Sequence, residues 1–321
     1  YNYACIKKHS RYNNSMPKDQ AMWDLYWEVR LSALEDLGKR EAILAASRLI
    51  LQMSATPGQT ARMLELGCGE GQIIGALLEA HAQAPGIQAS VGVDHNRRSL
   101  EVCRKHYPGL RFIEGDFTDP ARLADIGQFD LVLLVNALHE VFSACVSPEQ
   151  GEVDVPAAKQ RVFQALKGAA GCLMPSGWMV LFDGLEPSGD EQAPIQVRFQ
   201  SWQARQRFET FVREFQPFRI RYRETGEPGC VELSWHDFTR YVDKSIFLGK
   251  ALWQTERLES YQYFTEAEFR GACASLGLTI HELRTLTVNY EKWQAEVEIL
   301  TPGVDFPAEH ILIVAQSQPR S

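Results

Sequence analysis

Three glycines, Gly67, Gly69 and Gly71, stand within five residues in the segment MLELGCGEGQ, directly behind an apolar run. Glycine costs stability in regular structure, but it allows a tight turn and a close approach between the backbone and a ligand. The turn leads from a predicted strand into the predicted helix QIIGALLEAHA, where backbone N–H groups converge at the helix N-terminus. This pattern predicts a ligand-binding turn.

The spacing of these glycines separates the known kinds of ligand-binding turn. The dinucleotide fingerprint G-x-G-x-x-G requires glycine at position 72, where this chain has Gln72. No Gly-Lys-Ser/Thr follows, which a phosphate-binding P-loop requires. The P-loop is therefore excluded, and a nicotinamide enzyme is kept only as a disfavoured alternative.

Polar residues end the three predicted strands that follow the glycine turn. Asp94 closes SVGVD, Asp116 follows LRFIEG, and Asn136 ends FDLVLLVN. The carboxyl ends of parallel strands form one edge of a sheet, where α/β proteins bind their ligands. A bidentate carboxylate at Asp94 is suited to both hydroxyls of a ribose, so the sequence predicts a nucleoside site at this edge.

The pattern E-x-G-x-G-x-G behind a strand, followed by these strand-end residues, resembles the class I S-adenosylmethionine-dependent methyltransferases. The resemblance covers residues 62 to 184 well and residues 261 to 316 as a helix plus a terminal hairpin. It implies S-adenosylmethionine as the cofactor, with Asp116 accepting from the adenine amino group, Phe117 covering the ring, and Asn136 facing the methionine part. The full set of cofactor contacts that it implies is Glu65, Gly67, Cys68, Gly69, Asp94, His95, Asp116, Phe117 and Asn136.

Short apolar runs that alternate with helical segments predict the fold around these residues. Five runs from MLEL to WMVLFDG indicate a mostly parallel sheet. The runs LTIHELRTLTV and HILIVAQ then close it as an antiparallel pair. The predicted fold class is α/β: a Rossmann-like seven-stranded mostly parallel sheet with helices on both faces and a C-terminal antiparallel hairpin.

Two parts of the chain fall outside this alternation. Helical periodicity over residues 21–35 and 40–53, with Gly38 as the stop between them, predicts an N-terminal helical cap. The charged, aromatic-rich stretch over residues 186–259 predicts an inserted, mainly helical lobe. The predicted domains are the cap at 1–58, the cofactor-binding core at 59–185 and 261–321, and a substrate-binding lobe at 186–260.

Two residues near the sheet edge are candidates for catalysis. Methyl transfer from a sulfonium is an in-line displacement, so a base is needed only where the acceptor must lose a proton. His139, three residues past Asn136, and Asp183, after the fifth strand, are the candidate catalytic residues. The alternative for each is structural, as a histidine packed against the sheet edge or an acid that caps a turn. No clustered Asp/Asn set for magnesium occurs, so no metal is expected.

The residues after the fourth strand disfavour several acceptors. Asn136 is followed by Ala-Leu-His, whereas the families that methylate amino groups of nucleic-acid bases carry Pro-Pro and an aromatic residue there. The chain has no Pro-Cys dipeptide for cytosine carbon-5 methylation, and it lacks the loop with two glutamates that is typical of protein-arginine methyltransferases. The sequence therefore favours a small metabolite as the acceptor.

Two groups of residues outside the cofactor motifs are candidate substrate contacts. Trp23, Tyr26 and Trp27 share one face of the first predicted helix, and an aromatic face stabilises a sulfonium. Seven arginines lie between residues 197 and 223, and Arg219 and Arg221 alternate as on a strand. Because arginine binds carboxylates and phosphates in a bidentate manner, we expect an acceptor that carries an acid group, such as an amino acid or a related acid.

The composition bounds the partners and the compartment. A formal charge of −8 over 321 residues makes nucleic acid an unexpected partner. Two alternatives stay open: a nucleic-acid or protein methyltransferase that docks through the arginine segment, and a module that binds S-adenosylmethionine without catalysis. Seven scattered cysteines without a C-x-x-C pair are expected to be reduced thiols, and no run of about 18 apolar residues occurs. We therefore expect a cytoplasmic protein with a small-molecule substrate and no membrane partner.

Overall fold

The computed structural model describes residues 37–147, 151–190 and 192–319. Eleven strands occur within these ranges: β1 Met63–Leu66, β2 Val91–Asp94, β3 Arg111–Glu114, β4 Phe129–Val135, β5 Leu173–Gly184, β6 Pro194–Phe199, β7 Tyr222–Glu224, β8 Cys230–Ser234, β9 Leu278–Leu286, β10 Val297–Ile299 and β11 His310–Ser317. Seven of them form one sheet in the order β3-β2-β1-β4-β5-β11-β9.

The main sheet has the predicted direction of its strands. Strands β1 to β5 run parallel to one another, while β11 is antiparallel to both of its neighbours, β5 and β9. The predicted Rossmann-like seven-stranded sheet with a C-terminal antiparallel pair is confirmed. Strand β4 is apolar because both of its faces are covered: Val132 and Leu134 enter one hydrophobic cluster, and Leu131 and Leu133 enter the other.

Helices cover both faces of this sheet, and further helices belong to the lobe. The helices of the described ranges are α1 Leu37–Ala55, α2 Gln72–Ala80, α3 Arg97–His106, α4 Pro120–Ala124, α5 Leu138–Ser143, α6 Val155–Gly171, α7 Trp202–Glu214, α8 Trp235–Lys244, α9 Trp253–Glu256, α10 Glu266–Ser275 and α11 Tyr290–Glu296, with single 3₁₀ turns at Ile87–Ala89 and Ser245–Phe247. In the part of the chain that these ranges cover, no helix combines the length and the apolar character that crossing a membrane needs.

Helix α1 begins earlier than the sequence predicts. It includes Gly38, which the periodicity marks as a stop between two helices. A Cβ at this position would run into the ring of Phe182 on β5. Glycine is therefore present because the helix packs closely on the sheet, and the prediction of a stop at Gly38 is wrong. The helix predicted over residues 21–35 lies outside the described residues.

The lobe differs in two details from what the sequence predicts. Helices α7, α8 and α9 make the described part of residues 186–260 mainly helical, as predicted, but the lobe also contains a four-stranded antiparallel sheet in the order β10-β6-β8-β7. It also takes in α11 and β10, which lie beyond the predicted boundary at residue 260. Trp293 and Val297 explain this second difference, because both are buried in the hydrophobic cluster of the lobe with Phe208 and Tyr241.

Candidate active site

The three glycines form a tight turn between β1 and α2. Gly67, Gly69 and Gly71 have φ angles of 75°, 51° and 74°, in the left-handed region that glycine reaches without strain. The N–H of Gly67 donates to the carbonyl of Val93 at 2.9 Å, which ties the turn to β2. A Cβ at Gly67 would lie 2.7 Å from the Cβ of Ala137, so the close approach of the loop after β4 also requires glycine there.

Asp94 ends β2 beside this turn and is buried, with 7% of its surface exposed. Its Oδ2 accepts the N–H of Gly69 at 2.8 Å, and its Oδ1 accepts the N–H of Asn96 at 2.7 Å. Each carboxylate oxygen has a second lone pair, so the group is held in one orientation while it can still accept hydrogen bonds from a ligand. This geometry suits the pair of ribose hydroxyls that the sequence predicts.

A cavity, called the cofactor cavity below, opens between the glycine turn and the loop after β4. Its described lining is Lys39, Glu65, Gly67, Cys68, Gln72, Ile73, Asp94, His95, Asn96, Phe117, Val135, Asn136, Ala137 and Glu140. Seven of the nine cofactor contacts implied by the resemblance are in this set, all but Gly69 and Asp116. Gly69 is outside the lining, but its N–H donates a hydrogen bond to Asp94, which lines the cavity.

Two buried polar atoms in this lining have no hydrogen-bond partner among the described residues. They are Nε2 of Gln72 and Oδ1 of Asn136. An unpaired buried polar atom costs about 1–3 kcal/mol, and a bound ligand is one way to satisfy it. The Gln72 amide nitrogen is therefore a donor, and the Asn136 amide oxygen an acceptor, that a polar ligand could pair with. A nucleoside that carries an amino acid has polar groups of both kinds. The residues present fit the cofactor that the resemblance implies.

Sequence reasoning missed four polar residues of the lining: Lys39, Gln72, Asn96 and Glu140. Gln72 enters the sequence argument only as the residue that breaks the dinucleotide fingerprint. Asn96 could have been found, because its side chain caps the N-terminus of α3 and Asn is a preferred residue there. Lys39 and Glu140 carry no local signal, since only the packing of α1 and α5 on the sheet edge brings them to the cavity.

Asp116 is not part of the described lining of the cofactor cavity. Its side chain is 52% exposed, accepts the N–H of Thr118 at 2.8 Å and lies 3.3 Å from a guanidinium nitrogen of Arg161. The adjacent Phe117 is buried and lines the cavity. The adenine contacts of Asp116 and Phe117 both stay predictions.

Glu65 and Cys68 form the buried floor of the cofactor cavity. Oε2 of Glu65 accepts the N–H of Ile74 at 3.0 Å. Burial, with a smaller contribution from the Asp94 carboxylate, raises the pKa of Glu65 to about 8 against the opposing effects of the Ile74 amide and Lys39. The hydrogen bond with Cys103 and burial raise the pKa of the Cys68 thiol well above its usual range, which suits a residue that fills a turn and disfavours a nucleophile.

The stability contribution of Glu65 is expected to depend on pH. Its pKa in the folded state, about 8, lies above the unfolded value of 4.5, so the neutral form stabilises the fold below pH 4.5 and this contribution is lost as the pH rises through 8. Glu65→Gln stays neutral at every pH. We expect the free energy of unfolding of the variant, relative to the unaltered protein, to increase from pH 5 to pH 9 in denaturant titrations. A constant difference across this range would contradict the prediction.

The two candidate catalytic residues form a buried pair. Nδ1 of His139 lies 2.9 Å from Oδ1 of Asp183, and both side chains are fully buried. Burial alone would lower the pKa of His139, but the carboxylates of Asp183 and Glu259 raise it to about 9. Neither residue belongs to the lining of the cofactor cavity. The structure therefore brings them together but not onto that cavity, and their roles in proton removal stay predictions.

A second cavity of about 710 Å³, called the lobe cavity below, lies between the core and the lobe. Its lining includes apolar residues such as Phe142 and Pro156, and it carries both signs of charge. The basic residues are Arg219, Arg221, Arg223, His236 and Arg240, and the acidic residues are Glu152, Glu186, Glu232 and Asp237. Its volume is within the usual range for small-molecule sites. Helix α5 connects the two sites, because its Glu140 lines the cofactor cavity and its Phe142 lines the lobe cavity.

Most arginines of the predicted basic segment are neutralised by glutamates. Ion pairs join Arg198 to Glu227 and Glu298, Arg205 to Glu209 and Glu224, Arg207 to Glu296, Arg213 to Glu214 and Arg223 to Glu232. Arg219 and Arg221 have no carboxylate within ion-pair distance in the described ranges, and both line the lobe cavity. Trp23, Tyr26 and Trp27, the other predicted substrate contacts, lie outside the described residues.

No group of three or more His, Cys, Asp or Glu side chains able to hold a metal ion occurs within residues 37–147, 151–190 and 192–319. The six cysteines described are all free thiols: Cys68, Cys103, Cys145, Cys172, Cys230 and Cys273.

The sheet order and the glycine turn held by Asp94 define a class of protein: an α/β domain of Rossmann-like type. Residues 64–181 match a protein family described as a methyltransferase domain. The matched residues contain the glycine turn, Asp94, Phe117 and Asn136, so this part of the chain is similar to a methyltransferase domain where the sequence predicts the S-adenosylmethionine site.

Solved structures similar to this chain include several methyltransferases. An O-methyltransferase family protein from Burkholderia thailandensis is 11% identical, with a TM-score of 0.43 over 88% of this chain and 59% of that one. An amino pentose methyltransferase of calicheamicin biosynthesis from Micromonospora echinaspora, solved with S-adenosylmethionine, is 17% identical, with a TM-score of 0.44 over 91% of this chain and 97% of its own. A methyltransferase from Haloferax volcanii, solved in complex with the Trm112 methyltransferase activator, is 13% identical. Its TM-score is 0.48 over 94% of this chain and 98% of its own.

The lengths of the matched proteins differ. This chain spans 59% of the Burkholderia thailandensis protein, 47% of a protein described as a pericyclic reaction enzyme, and 46% of LepI, which was solved in complex with S-adenosylmethionine. No curated protein sequence matches the chain.

Proposed function

We propose that this protein transfers the methyl group of S-adenosylmethionine to a small metabolite that carries a carboxylate or a phosphate. The observation that carries the proposal is the pair Arg219 and Arg221 on the wall of the lobe cavity. Five of the seven arginines in this segment are paired with glutamates, whereas the guanidinium groups of these two have no carboxylate within ion-pair distance in the described ranges; the backbone N–H of Arg221 donates to Asp237. Arginines placed this way suit bidentate recognition of an acid group.

The cofactor cavity supplies the other half of the reaction. In this proposal Asp94 accepts from the ribose hydroxyls, Phe117 and His95 lie along the adenine, with Asp116 as its predicted acceptor, and Glu65 and Asn136 lie at the methionine end. The bound cofactor supplies an electrophilic methyl group on a sulfonium. The chain then has to hold the acceptor in line with this methyl group and exclude water, which accounts for most of the rate advantage in such a displacement.

Two observations weigh on the alternative functions. Docking of nucleic acid or protein through the arginine segment needs free positive charge, and most of that charge is paired with glutamate. A module that binds the cofactor without catalysis needs no acceptor site, and the lobe cavity of about 710 Å³ is large enough for one. Methylation of a small acid is therefore the function that we propose, with a cytoplasmic location as a further part of the prediction.

The acceptor class is tested by matched pairs of small molecules. Amino acids and carboxylated phenols are offered together with their uncharged amides, and release of S-adenosylhomocysteine is measured. We expect the protein to prefer the acid of a pair. In the double variant Arg219→Gln/Arg221→Gln the KM for the acid should rise about 100-fold or more, because two charged hydrogen bonds of about 1.5–3 kcal/mol each are lost. The KM for the amide and the binding of S-adenosylhomocysteine should not change.

The matched control is Arg213→Gln. Arg213 is in the same segment, is 65% exposed and pairs with Glu214, but it does not line the lobe cavity. Its replacement should leave the KM of the acid unchanged. Equal preference for acid and amide in the unaltered protein would refute the acid-bearing acceptor.

A further inference from the structure

Asn136 adopts a backbone conformation that side chains rarely adopt. Its φ angle is 52°, and Asn136 and Ser176 are the two non-glycine residues with positive φ in the described ranges. Such a conformation costs about 1 kcal/mol or more, and it persists only where the surroundings hold it. Asn136 lines the cofactor cavity, and its buried Oδ1 has no hydrogen-bond partner among the described residues. A strained residue of this kind at a ligand site indicates that something keeps it in place.

Asp183 provides that support from the neighbouring strand. Its Oδ2 accepts the N–H groups of Ala137 and Leu138 at 2.9 and 2.7 Å, directly after Asn136. Its Oδ1 accepts Nδ1–H of His139 at 2.9 Å and the N–H of Gly184 at 2.7 Å. Two donors on each oxygen occupy the in-plane lone pairs of the carboxylate. Asp183 is therefore fully engaged in holding the segment that follows Asn136.

His139 completes the arrangement. Its Nε2 lies 3.7 Å from Oε2 of Glu259, and its ring contacts the ring of Tyr261 with centroids 4.0 Å apart. The imidazole therefore lies between two carboxylates and compensates the buried charge of Asp183. A carboxylate with all lone pairs used and an imidazole flanked by acids are poorly placed to remove a proton from an acceptor, but they are well placed to fix a loop.

We propose that Asp183 is a positioning residue for the cofactor site, which acts through Asn136: its carboxylate binds the N–H groups after Asn136 and so holds the Asn136 amide towards the cofactor cavity. This inference rests on the cofactor assignment of the proposed function and is independent of the acceptor. In this arrangement His139 stabilises the ionised carboxylate.

A double-mutant cycle tests whether Asp183 acts through Asn136. The dissociation constant of S-adenosylhomocysteine is measured by calorimetry for the unaltered protein, Asp183→Asn, Asn136→Ala and the double variant. Loss of one charge-assisted contact corresponds to roughly a 10-fold change in affinity, so we expect Asp183→Asn to weaken binding about 10-fold when Asn136 is present. When alanine replaces Asn136, the same change should weaken binding less than about 2-fold, because the amide through which it acts is absent.

Two further variants keep the test decisive. His139→Asn retains an N–H donor near the position of Nδ1 but removes the ring and the charge, so it should show a smaller loss with the same dependence on Asn136, and it replaces Asp183→Asn if that variant does not fold. Asp130→Asn is the matched control, because Asp130 also accepts a backbone N–H, that of Arg62 at 2.9 Å, and is not part of the cofactor cavity. It should lower the Tm without a change in affinity.

The outcomes separate this inference from the proposed acceptor. An equal loss of affinity from Asp183→Asn with asparagine or alanine at position 136 would overturn the positioning role, since it would indicate a general structural effect. No binding of S-adenosylhomocysteine by the unaltered protein would overturn the inference together with the cofactor site. A negative result with acid-bearing acceptors would leave the cycle unaffected.

Discussion

Asp94→Ala is expected to weaken the binding of S-adenosylhomocysteine by about 100-fold or more. The carboxylate would accept both ribose hydroxyls, and hydrogen bonds to a charged group contribute about 1.5–3 kcal/mol each. The substitution also removes the acceptor from the N–H groups of Gly69 and Asn96. The glycine turn and the start of α3 would lose a shared anchor as a result. Calorimetric titration of each purified protein gives the dissociation constants.

Two controls define the meaning of this result. Asp119→Ala removes a carboxylate that also accepts a backbone N–H, that of Ala121 at 2.9 Å, but lies outside the cofactor cavity, so affinity should not change. NAD should show no heat of binding to the unaltered protein. If NAD binds and S-adenosylhomocysteine does not, Asp94 serves a nicotinamide cofactor and the identification of the site is wrong.

Gly67→Ala is expected to have the second large effect, on both stability and cofactor binding. The left-handed backbone at φ 75° costs a residue with a Cβ about 1–2 kcal/mol. The new Cβ would also lie 2.7 Å from the Cβ of Ala137, and overpacking of this kind costs about 1–3 kcal/mol. The free energy of unfolding should therefore fall by about 2–5 kcal/mol. Displacement of the loop after β4 should weaken the binding of S-adenosylhomocysteine by about 10-fold or more.

Gly58→Ala separates the two contributions. Gly58 has nearly the same φ angle, 79°, but a Cβ there would have no atom within 4 Å. Its replacement should cost only the backbone strain of about 1–2 kcal/mol and leave cofactor affinity unchanged. Equal losses of stability and equal affinities for the two alanine variants, measured by denaturant unfolding and calorimetry, would show that the contact between Gly67 and Ala137 has no role.

The sequence alone was sufficient for the parts of the protein that depend on local patterns. The alternation of apolar runs and helices predicted the seven-stranded sheet, because strands buried on both faces are apolar throughout, as β4 is. The glycine turn and the strand-end position of Asp94 were predicted for a similar reason. Both lie within a few residues of the strand that places them.

Contacts between distant segments could not be predicted in this way. Gly38 was interpreted as a helix stop, because the sequence does not show that Phe182 packs against it. The strand β10 could not be assigned to the lobe, since its partner β6 lies about a hundred residues earlier in the chain. Pairings of this kind depend on the complementarity of whole surfaces and leave little trace in any short window of sequence.

The same distinction between local patterns and distant contacts applies to the candidate site. By itself the sequence determined the α/β sheet, the ligand-binding turn and the residues that end the strands, since the types and spacing of neighbouring residues set backbone conformation. Only the tertiary structure decided that Asp183 and His139 form a buried pair, that Asp116 turns towards Arg161, and that Arg219 and Arg221 alone of their segment face a cavity without glutamate partners in the described ranges. Those outcomes depend on which charged groups meet in three dimensions and on how far each is removed from water, and both are properties of the packed chain.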